Sequence, residues 1–160
     1  MRVTAWDTGK PGDAAGSAFD ASGNFYVTNF DAATVSKFAP DGTLLGTFGS
    51  GYTTSPESIV FDTARNAYVG HADGTRDVQK RNGSGVLLST FDVAVQDRGS
   101  DWIALRPDGC TLVYTSEGTR ILQYNVCTSQ QLPDFATIPS RAFAVGLMPD
   151  GGLIVSRVLL

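Results

Sequence analysis

The feature that most constrains the fold of this chain is an internal repeat. The pair Phe19-Asp20 recurs as Phe61-Asp62, Leu105-Arg106 and Leu147-Met148, at steps of 42, 44 and 42 residues. Apolar runs and two further blocks recur at similar steps, so that each full unit carries four strand-length segments, named A to D in chain order. The segments are too short for helices and are rich in β-branched and aromatic residues. Asp-Gly and Ser-Gly turns, which suit tight hairpins, separate many of them.

Four short strands per unit, at a period of roughly 40–50 residues, are typical of one blade of a β-propeller. The chain has no long run of helical periodicity, which excludes helical solenoids. A two-sheet β-sandwich stays open as an alternative, but it does not require separate blocks to recur in register. The sequence therefore predicts an all-β fold, a β-propeller of four-stranded antiparallel blades. We expect one domain over residues 1–160, with units at 10–51, 52–93, 94–138 and 139–160.

The two ends of the chain each carry part of a blade. Trp6 lies 42 residues before Phe48, the aromatic residue of a D segment, which predicts that residues 1–9 form an extra outer strand. Val145 to Ser156 supplies an A and a B segment only. We expect about three full blades, a leading D strand and a trailing A–B half-blade. The hypothesis is a half-propeller that completes its ring as a homo-oligomer, a dimer in the simplest case, or a fragment of a longer propeller.

Composition narrows the class of partner. The chain has 12 Lys and Arg against 16 Asp and Glu, a net charge of −4, and its basic residues do not cluster. Nucleic acid and anionic membranes are therefore poor partners. No apolar run approaches the ~20 residues of a membrane-spanning helix, and the first residues have no hydrophobic signal core. One histidine and two cysteines are too few for a zinc site of the His/Cys kind.

The two cysteines predict a disulfide. If Gly118-Thr119 forms the tip of the B–C hairpin in the third unit, Glu117 faces Arg120. The same register places Cys110 opposite Cys127 as a non-hydrogen-bonded pair, with Cα atoms about 4.5 Å apart. That separation suits a disulfide, which spans roughly 4.4–6.8 Å. The alternative is two buried thiols. A disulfide would indicate an oxidising compartment, so that the parent protein would be secreted or periplasmic.

The D–A and B–C connections of a propeller share one face, and carboxylates cluster there. Glu57 and Asp101 occupy the same position in adjacent units, four residues before the strand-A anchor. Two converging carboxylates are candidate ligands of a hard cation such as Ca²⁺, which takes 6–8 oxygen ligands. Arg141 could neutralise them instead. The alternative is a solvated polar rim.

The B–C loops supply the other candidate residues. His71, the only histidine, could act as a general base with Asp73 or Glu57 to orient it, or it is a turn residue in a His-Ala-Asp-Gly loop. Phe30, Tyr52 and Phe143 could line the same face. The predicted ligand-binding face comprises Asn29, Asp31, Trp102, Glu117 and Arg141.

Residues 19–27, Phe-Asp-Ala-Ser-Gly-Asn-Phe-Tyr-Val, resemble the NHL-type repeat, and residues 59–69 are similar to it. The third and fourth units depart from the pattern with Pro-Asp-Gly turns. The resemblance implies six- or seven-bladed rings that serve as binding platforms. A kindred group, the gluconolactonases and organophosphate hydrolases, uses such a ring as a Ca²⁺-dependent hydrolase with its metal in the central channel. Only Glu57 and Asp101 match the metal-binding positions of that group.

Three functions follow as hypotheses. The first is a unit that binds a small-molecule or protein ligand on the D–A/B–C face. The alternative is a metal-assisted hydrolase of lactones, esters or phosphotriesters, in which Glu57 and Asp101 hold Ca²⁺ and His71 or a carboxylate acts as base or nucleophile. The third is an assembly piece without a ligand.

Overall fold

The computed structural model of the protein describes residues 5–157 and arranges them in fourteen β-strands. The first sheet contains β1 (Ala14–Phe19), β2 (Phe25–Asn29), β3 (Thr34–Phe38) and β4 (Leu44–Thr47). The second contains β5 (Pro56–Phe61), β6 (Ala67–His71), β7 (Val78–Arg81) and β8 (Leu87–Phe91). The third contains β9 (Ile103–Leu105), β10 (Thr111–Tyr114), β11 (Arg120–Asn125) and β12 (Gln130–Thr137). The fourth contains β13 (Ala142–Leu147) and β14 (Leu153–Arg157).

Each sheet is an antiparallel meander whose strands follow chain order, so the segments A to D are successive strands of one blade. The predicted all-β, blade-like architecture is confirmed, with three four-stranded sheets followed by a two-stranded one. The repeat anchors Phe19, Phe61, Leu105 and Leu147 each end the first strand of their sheet. Residues 5–157 contain no helix that could span a membrane.

The turn between the first two strands of a blade is closed by an aspartate. Asp20 Oδ1 accepts hydrogen bonds from the backbone N–H groups of Ser22 and Asn24, at 2.8 and 3.0 Å. The Asn24 side chain donates to the other carboxylate oxygen at 2.8 Å. In the second blade, Asp62 accepts the same two hydrogen bonds from Asn66, one from its backbone N–H and one from its side chain, each at 2.8 Å. The recurring Asp and Asn of the repeat are thus the two parts of one turn.

The first strands of all four sheets converge on a central cavity of about 240 Å³. The lining residues occupy matching positions of β1, β5, β9 and β13, together with the residue that precedes β9. They are Gly16, Ser17, Ala18, Ser58, Ile59, Val60, Trp102, Ile103, Ala104, Val145 and Gly146. Equivalent residues of the repeat therefore meet around a shared axis, as a radial arrangement of blades requires.

The hydrophobic core lies between neighbouring blades and forms three clusters. The first joins Tyr26, Val35 and Phe48 to Ile59, Ala67 and Val69 of the second blade. The second joins Tyr68, Val78, Phe91 and Val93 to Ile103, Leu112, Tyr114, Leu122, Tyr124 and Val126 of the third. The third joins Ala104, Val113 and Ile121 to Ala142 and Val145 of the two-stranded sheet. Burial of apolar surface thus fixes each blade to the next.

The leading D strand is only partly described. Residues 5–7 form no strand, and the first four residues lie outside the described part of the chain. The Trp6 ring nevertheless packs on Phe25 of the first sheet, with ring centroids 5.7 Å apart. Phe48 packs in the same cluster as Ala67, the residue that matches Phe25 in the second sheet. Trp6 therefore contacts the first blade at the position where the D-strand aromatic residue of a preceding blade would contact it.

Cys110 and Cys127 form the predicted disulfide, with Cα atoms 5.2 Å apart. The predicted hairpin register was wrong by one residue, because Tyr114 pairs with Leu122. The B–C connection is a wider loop than a two-residue turn. The preceding D–A connection binds this loop, since the backbone N–H of Asp97 donates to Ser116 O at 3.1 Å. The cysteines lie just beyond the last strand pair rather than directly opposite each other.

Candidate functional site

A pocket of about 350 Å³ opens on the face that carries the D–A and B–C connections. Residues from all four blades line it, and three of them are aromatic. The lining consists of Asp13, Ala14, Ala15, Phe30, Glu57, Arg98, Trp102 and Phe143. Sequence equivalence explains part of this convergence, since Ala15, Glu57 and Phe143 occupy one position of the repeat.

Glu57 is the buried acid of the pocket. Its side chain lies near the start of β5, the residue is 4% exposed, and Oε2 has no hydrogen-bond partner among residues 5–157. Burial raises the pKa of this carboxyl to about 7, while the charge of Arg98 opposes the rise. A carboxyl with this pKa carries its proton for much of the time at neutral pH.

Asp101 does not line the pocket. It occupies in the third blade the position that Glu57 has in the second. It is fully buried, and neither of its carboxylate oxygens has a partner within the described part of the chain. Burial raises the pKa of Asp101 to about 8, and the charge of Glu57 adds to the rise. The structure thus brings the two predicted carboxylates together as a pair of buried acids whose buried oxygens have no hydrogen-bond partners among residues 5–157.

Arg98 connects the pocket to a chain of ion pairs on the rim. Its guanidinium donates to both oxygens of Asp73 and, at 3.1 Å, to Glu117. Arg141 pairs with Asp97 and lies 3.9 Å from Glu117. The hydrogen bonds from Arg98 lower the pKa of Asp73. Arg141 therefore neutralises rim acids rather than the buried pair.

Arg98 also lies over the Phe30 ring, 5.5 Å from its centroid. The sequence pattern did not single out this arginine. Its place three residues before Asp101, in the D–A connection, was the available signal. The arginine forms part of the pocket wall, and the contact to Phe30 joins it to the first blade.

His71 is not part of the pocket. It is fully buried at the end of β6, where Nδ1 lies 3.1 Å from Asp77 Oδ1 and 3.3 Å from the Asp77 backbone oxygen. Asp73, its predicted orienting partner, is bound to Arg98 instead. The backbone N–H of His71 also donates to Ser100 Oγ at 3.1 Å. These contacts give His71 a structural place inside the second blade.

Two residues of the predicted binding face support the first blade. Asn29 is buried, and its amide donates to Thr34 Oγ1 and Ser36 Oγ, each at 3.0 Å. Asp31 Oδ2 accepts a hydrogen bond from the backbone N–H of Asp13 at 2.7 Å. Asp31 therefore holds one segment of the pocket wall, whereas Asn29 links β2 to β3 and makes no contribution to the lining.

The donor set fits a calcium ion only in part. The unpartnered oxygens of Glu57 and Asp101 are hard donors, the kind that Ca²⁺ prefers. Two carboxylates supply at most four of the 6–8 oxygens that the ion takes. Within residues 5–157, no group of three or more His, Cys, Asp or Glu side chains is placed to hold a metal ion. The pair does not make a closed metal site on its own.

Comparisons with known proteins bear on the fold. No family model matches the chain, and no curated protein matches it significantly. Among solved structures, the computationally designed Ika4 protein aligns over 99% of this chain and 98% of its own, with 18% identity and a TM-score of 0.66. A protein of unknown function from Bacteroides caccae aligns over 91% of this chain and 53% of its own, with 14% identity and a TM-score of 0.69.

The hydrazine synthase of Kuenenia stuttgartiensis aligns over 90% of this chain and 43% of its own, with 18% identity and a TM-score of 0.72. This chain therefore spans about half or less of the two natural proteins. Likeness at these identities shows the fold alone. The propeller-like β fold is supported, while the NHL-type repeat stays a resemblance of sequence.

Proposed function

We propose that this chain is a small-molecule-binding unit of a β-propeller, with the pocket around Glu57 as its ligand site. The observation that carries the proposal is a concave site with apolar walls and one buried acid whose Oε2 is unpartnered among the described residues. Ligand sites are usually pockets of roughly 300–1,000 Å³, lined mainly by apolar and aromatic groups with a few polar groups that fix orientation.

The position of the pocket supports the same function. Its residues come from four blades that pack through their cores, so the walls are held by a rigid scaffold rather than by one loop. Trp102 and Phe143 contribute aromatic surface that the fold leaves partly uncovered, since Phe143 is 40% exposed. Exposed aromatic side chains in a concave site provide contact area for a ligand.

A ligand-observed NMR screen of small aromatic and aliphatic compounds tests this function. We expect hits whose signals are lost in Ala15→Trp, because Ala15 lines the pocket and a bulky side chain there would fill it. The control is Ala64→Trp, at an exposed position in the β5–β6 turn, which should retain the hits. Hits that survive Ala15→Trp, or no hits at all, would reject the pocket as a ligand site.

A hydrolase is the second candidate function. The observation that favours it is the pair Glu57 and Asp101, whose buried oxygens lack partners within residues 5–157. Hydrolysis of aryl esters, lactones and phosphotriesters, measured with and without EDTA, tests it. Turnover that EDTA abolishes and that Glu57→Gln or Asp101→Asn removes would support it. Turnover indifferent to both changes would place the activity elsewhere.

We also propose that copies of the chain assemble into a closed ring. Among the described residues, β14 pairs with β13 alone, whereas each other blade has two further strands. An unpaired strand edge favours pairing with another chain. Apolar side chains are exposed on the outer faces of both terminal sheets, with Phe19 at 64% and Ile154 at 66%. A head-to-tail contact between these faces would bury both.

The disulfide favours an oxidising compartment. Cys110 and Cys127 are bonded to each other, and disulfides persist mainly in secreted and periplasmic proteins. We propose that the parent protein is secreted or periplasmic. Free-thiol titration of denatured, unreduced protein tests the bond, and two titratable thiols would contradict it.

A further inference from the structure

We propose that the pocket takes a small organic cation, an ammonium group carried on an apolar body. This inference rests on the proposed small-molecule function and names the ligand class of that same site. The supporting observation is that the buried carboxyl of Glu57, unpartnered at Oε2 among the described residues, lines a pocket with aromatic walls.

The carboxyl of Glu57 has an unused place for a hydrogen-bond donor. The residue is 96% buried, since its exposure is 4%, and Oε2 has no partner in the part of the chain that the structure describes. A buried acceptor without a partner destabilises the folded protein, because it has lost its hydrogen bonds to water. A ligand N–H donor that reaches this carboxyl from the pocket would supply the missing partner, and a charged donor would form the stronger bond.

The charges around the pocket favour a cation over an anion. Arg98 is the cation whose charge acts on both buried acids, Glu57 and Asp101. The negative charges of Asp73 and Glu117 act on the same two carboxyls with the opposite sign. Its guanidinium is already paired with Asp73 and Glu117. The arginine is therefore neutralised by the rim, and a positively charged ligand beside Glu57 would favour the ionised form of its carboxyl, whereas an anion would disfavour it.

The walls fit the apolar part of such a ligand. The pocket is lined by the aromatic side chains of Trp102, Phe30 and Phe143. The faces of aromatic rings attract ammonium groups. Phe30 already makes a contact of this kind with Arg98, at 5.5 Å from the ring centroid. Ala14 and Ala15 add small apolar surfaces that leave room for a ring or a short chain.

A matched series of probes tests the ligand class. Benzylamine, benzyl alcohol and benzoate have nearly the same shape and are positive, neutral and negative near pH 7. Their affinities are measured by calorimetry with EDTA present throughout, so that no divalent ion competes. We expect benzylamine to bind at least tenfold more tightly than benzyl alcohol, and benzoate to bind most weakly.

The Glu57→Gln variant assigns the preference to the buried acid. We expect it to lose at least tenfold in affinity for benzylamine while its affinity for benzyl alcohol changes little. Asp92→Asn removes an exposed acid outside the pocket and should leave both affinities unchanged. Thermal unfolding of each variant verifies that it is folded.

The outcomes separate the inference from the function on which it rests. If the neutral or negative probe binds as tightly as benzylamine, or if Glu57→Gln keeps the preference, the cation inference is wrong while the pocket remains a ligand site. If none of the three probes binds and the compound screen finds no hits lost in Ala15→Trp, both proposals fail.

Discussion

At the scale of single residues, Glu57 and Asp101 are acids that the fold buries, and their buried oxygens have no hydrogen-bond partners in the described chain. Their pKa values are raised to about 7 and about 8, chiefly by burial. Rim acids have the opposite environment, as the Asp73 carboxylate shows by its hydrogen bonds to Arg98. Two classes of carboxyl thus lie side by side on one face, and the buried class has oxygens without a hydrogen-bond partner in the described chain.

The buried pair predicts a pH-dependent stability. Its folded-state pKa values lie above the ordinary values of 4.5 and 3.8. The folded protein therefore binds more protons than the unfolded chain between about pH 4 and pH 8, and the contribution of the pair to the free energy of unfolding falls as pH rises through that window. The double variant Glu57→Gln/Asp101→Asn should lose this dependence, so its free energy of unfolding should rise relative to that of the wild type by several kcal/mol from pH 4.5 to pH 8.5.

Urea unfolding of both proteins at the two pH values measures this difference. Asp41→Asn, at an exposed turn, is a matched control that should follow the wild type over the same window. A wild-type protein whose stability relative to the double variant does not change with pH would show that the two carboxyls are solvated.

At the scale of elements, neighbouring blades touch along their first strands with no space between backbones. A Cβ built on Gly16 of β1 would lie 2.3 Å from Glu57 O and 2.8 Å from Ser58 Cα. Thr28 Oγ1 lies in the same contact, 3.1 Å from Glu57 O, and accepts a hydrogen bond from Gly16 N at 2.8 Å. The glycine is therefore required by the close approach of β1 to β5.

Gly16→Ala should destabilise the protein, because the added methyl group meets backbone that cannot move without separating two blades. Overpacking of this kind costs about 1–3 kcal/mol. The control is Gly83→Ala, where the nearest atom to the new Cβ is Arg65 O at 3.5 Å, an ordinary contact. Chemical denaturation measures both, and equal stabilities of the two variants would contradict the close approach of β1 and β5.

At the scale of the whole molecule, the row of blades in residues 5–157 ends in two faces that expose apolar side chains. Leu153 and Val155 of β14 pack toward the third blade, so the alternation of a strand places Ile154 on the opposite side. At the other end of the row, Phe19 and Trp6 are 64% and 37% exposed. Ring closure by a second copy would join these two faces.

Native mass spectrometry at micromolar concentration tests the closure. We expect an oligomer in the wild type and a monomer in Ile154→Asp, because a charge would be buried in the contact. The control is Leu45→Asp, which alters a similarly exposed apolar residue on the outer strand β4 and should keep the wild-type mass. A monomeric wild type would reject self-assembly, and dissociation by Leu45→Asp alone would place the interface on the outer strands.

The sequence by itself determined the architecture of this protein. Recurrence of Phe19, Phe61 and Leu105 in register predicted the blades, because hydrophobic periodicity and turn chemistry are local properties that survive in a single chain. The same local geometry predicted the bond between Cys110 and Cys127, since a shift of one residue in the hairpin register still leaves the two side chains within reach.

Only the tertiary structure decided the surroundings of each polar side chain. The repeat placed Glu57 and Asp101 at one level of the ring, but their burial depends on how four blades close around them. Arg81 is likewise only 1% exposed and lies over the Tyr52 ring at 3.9 Å, a burial that the repeat pattern did not predict. Burial and pairing are set by contacts between residues distant in sequence, which the pattern of one strand does not contain.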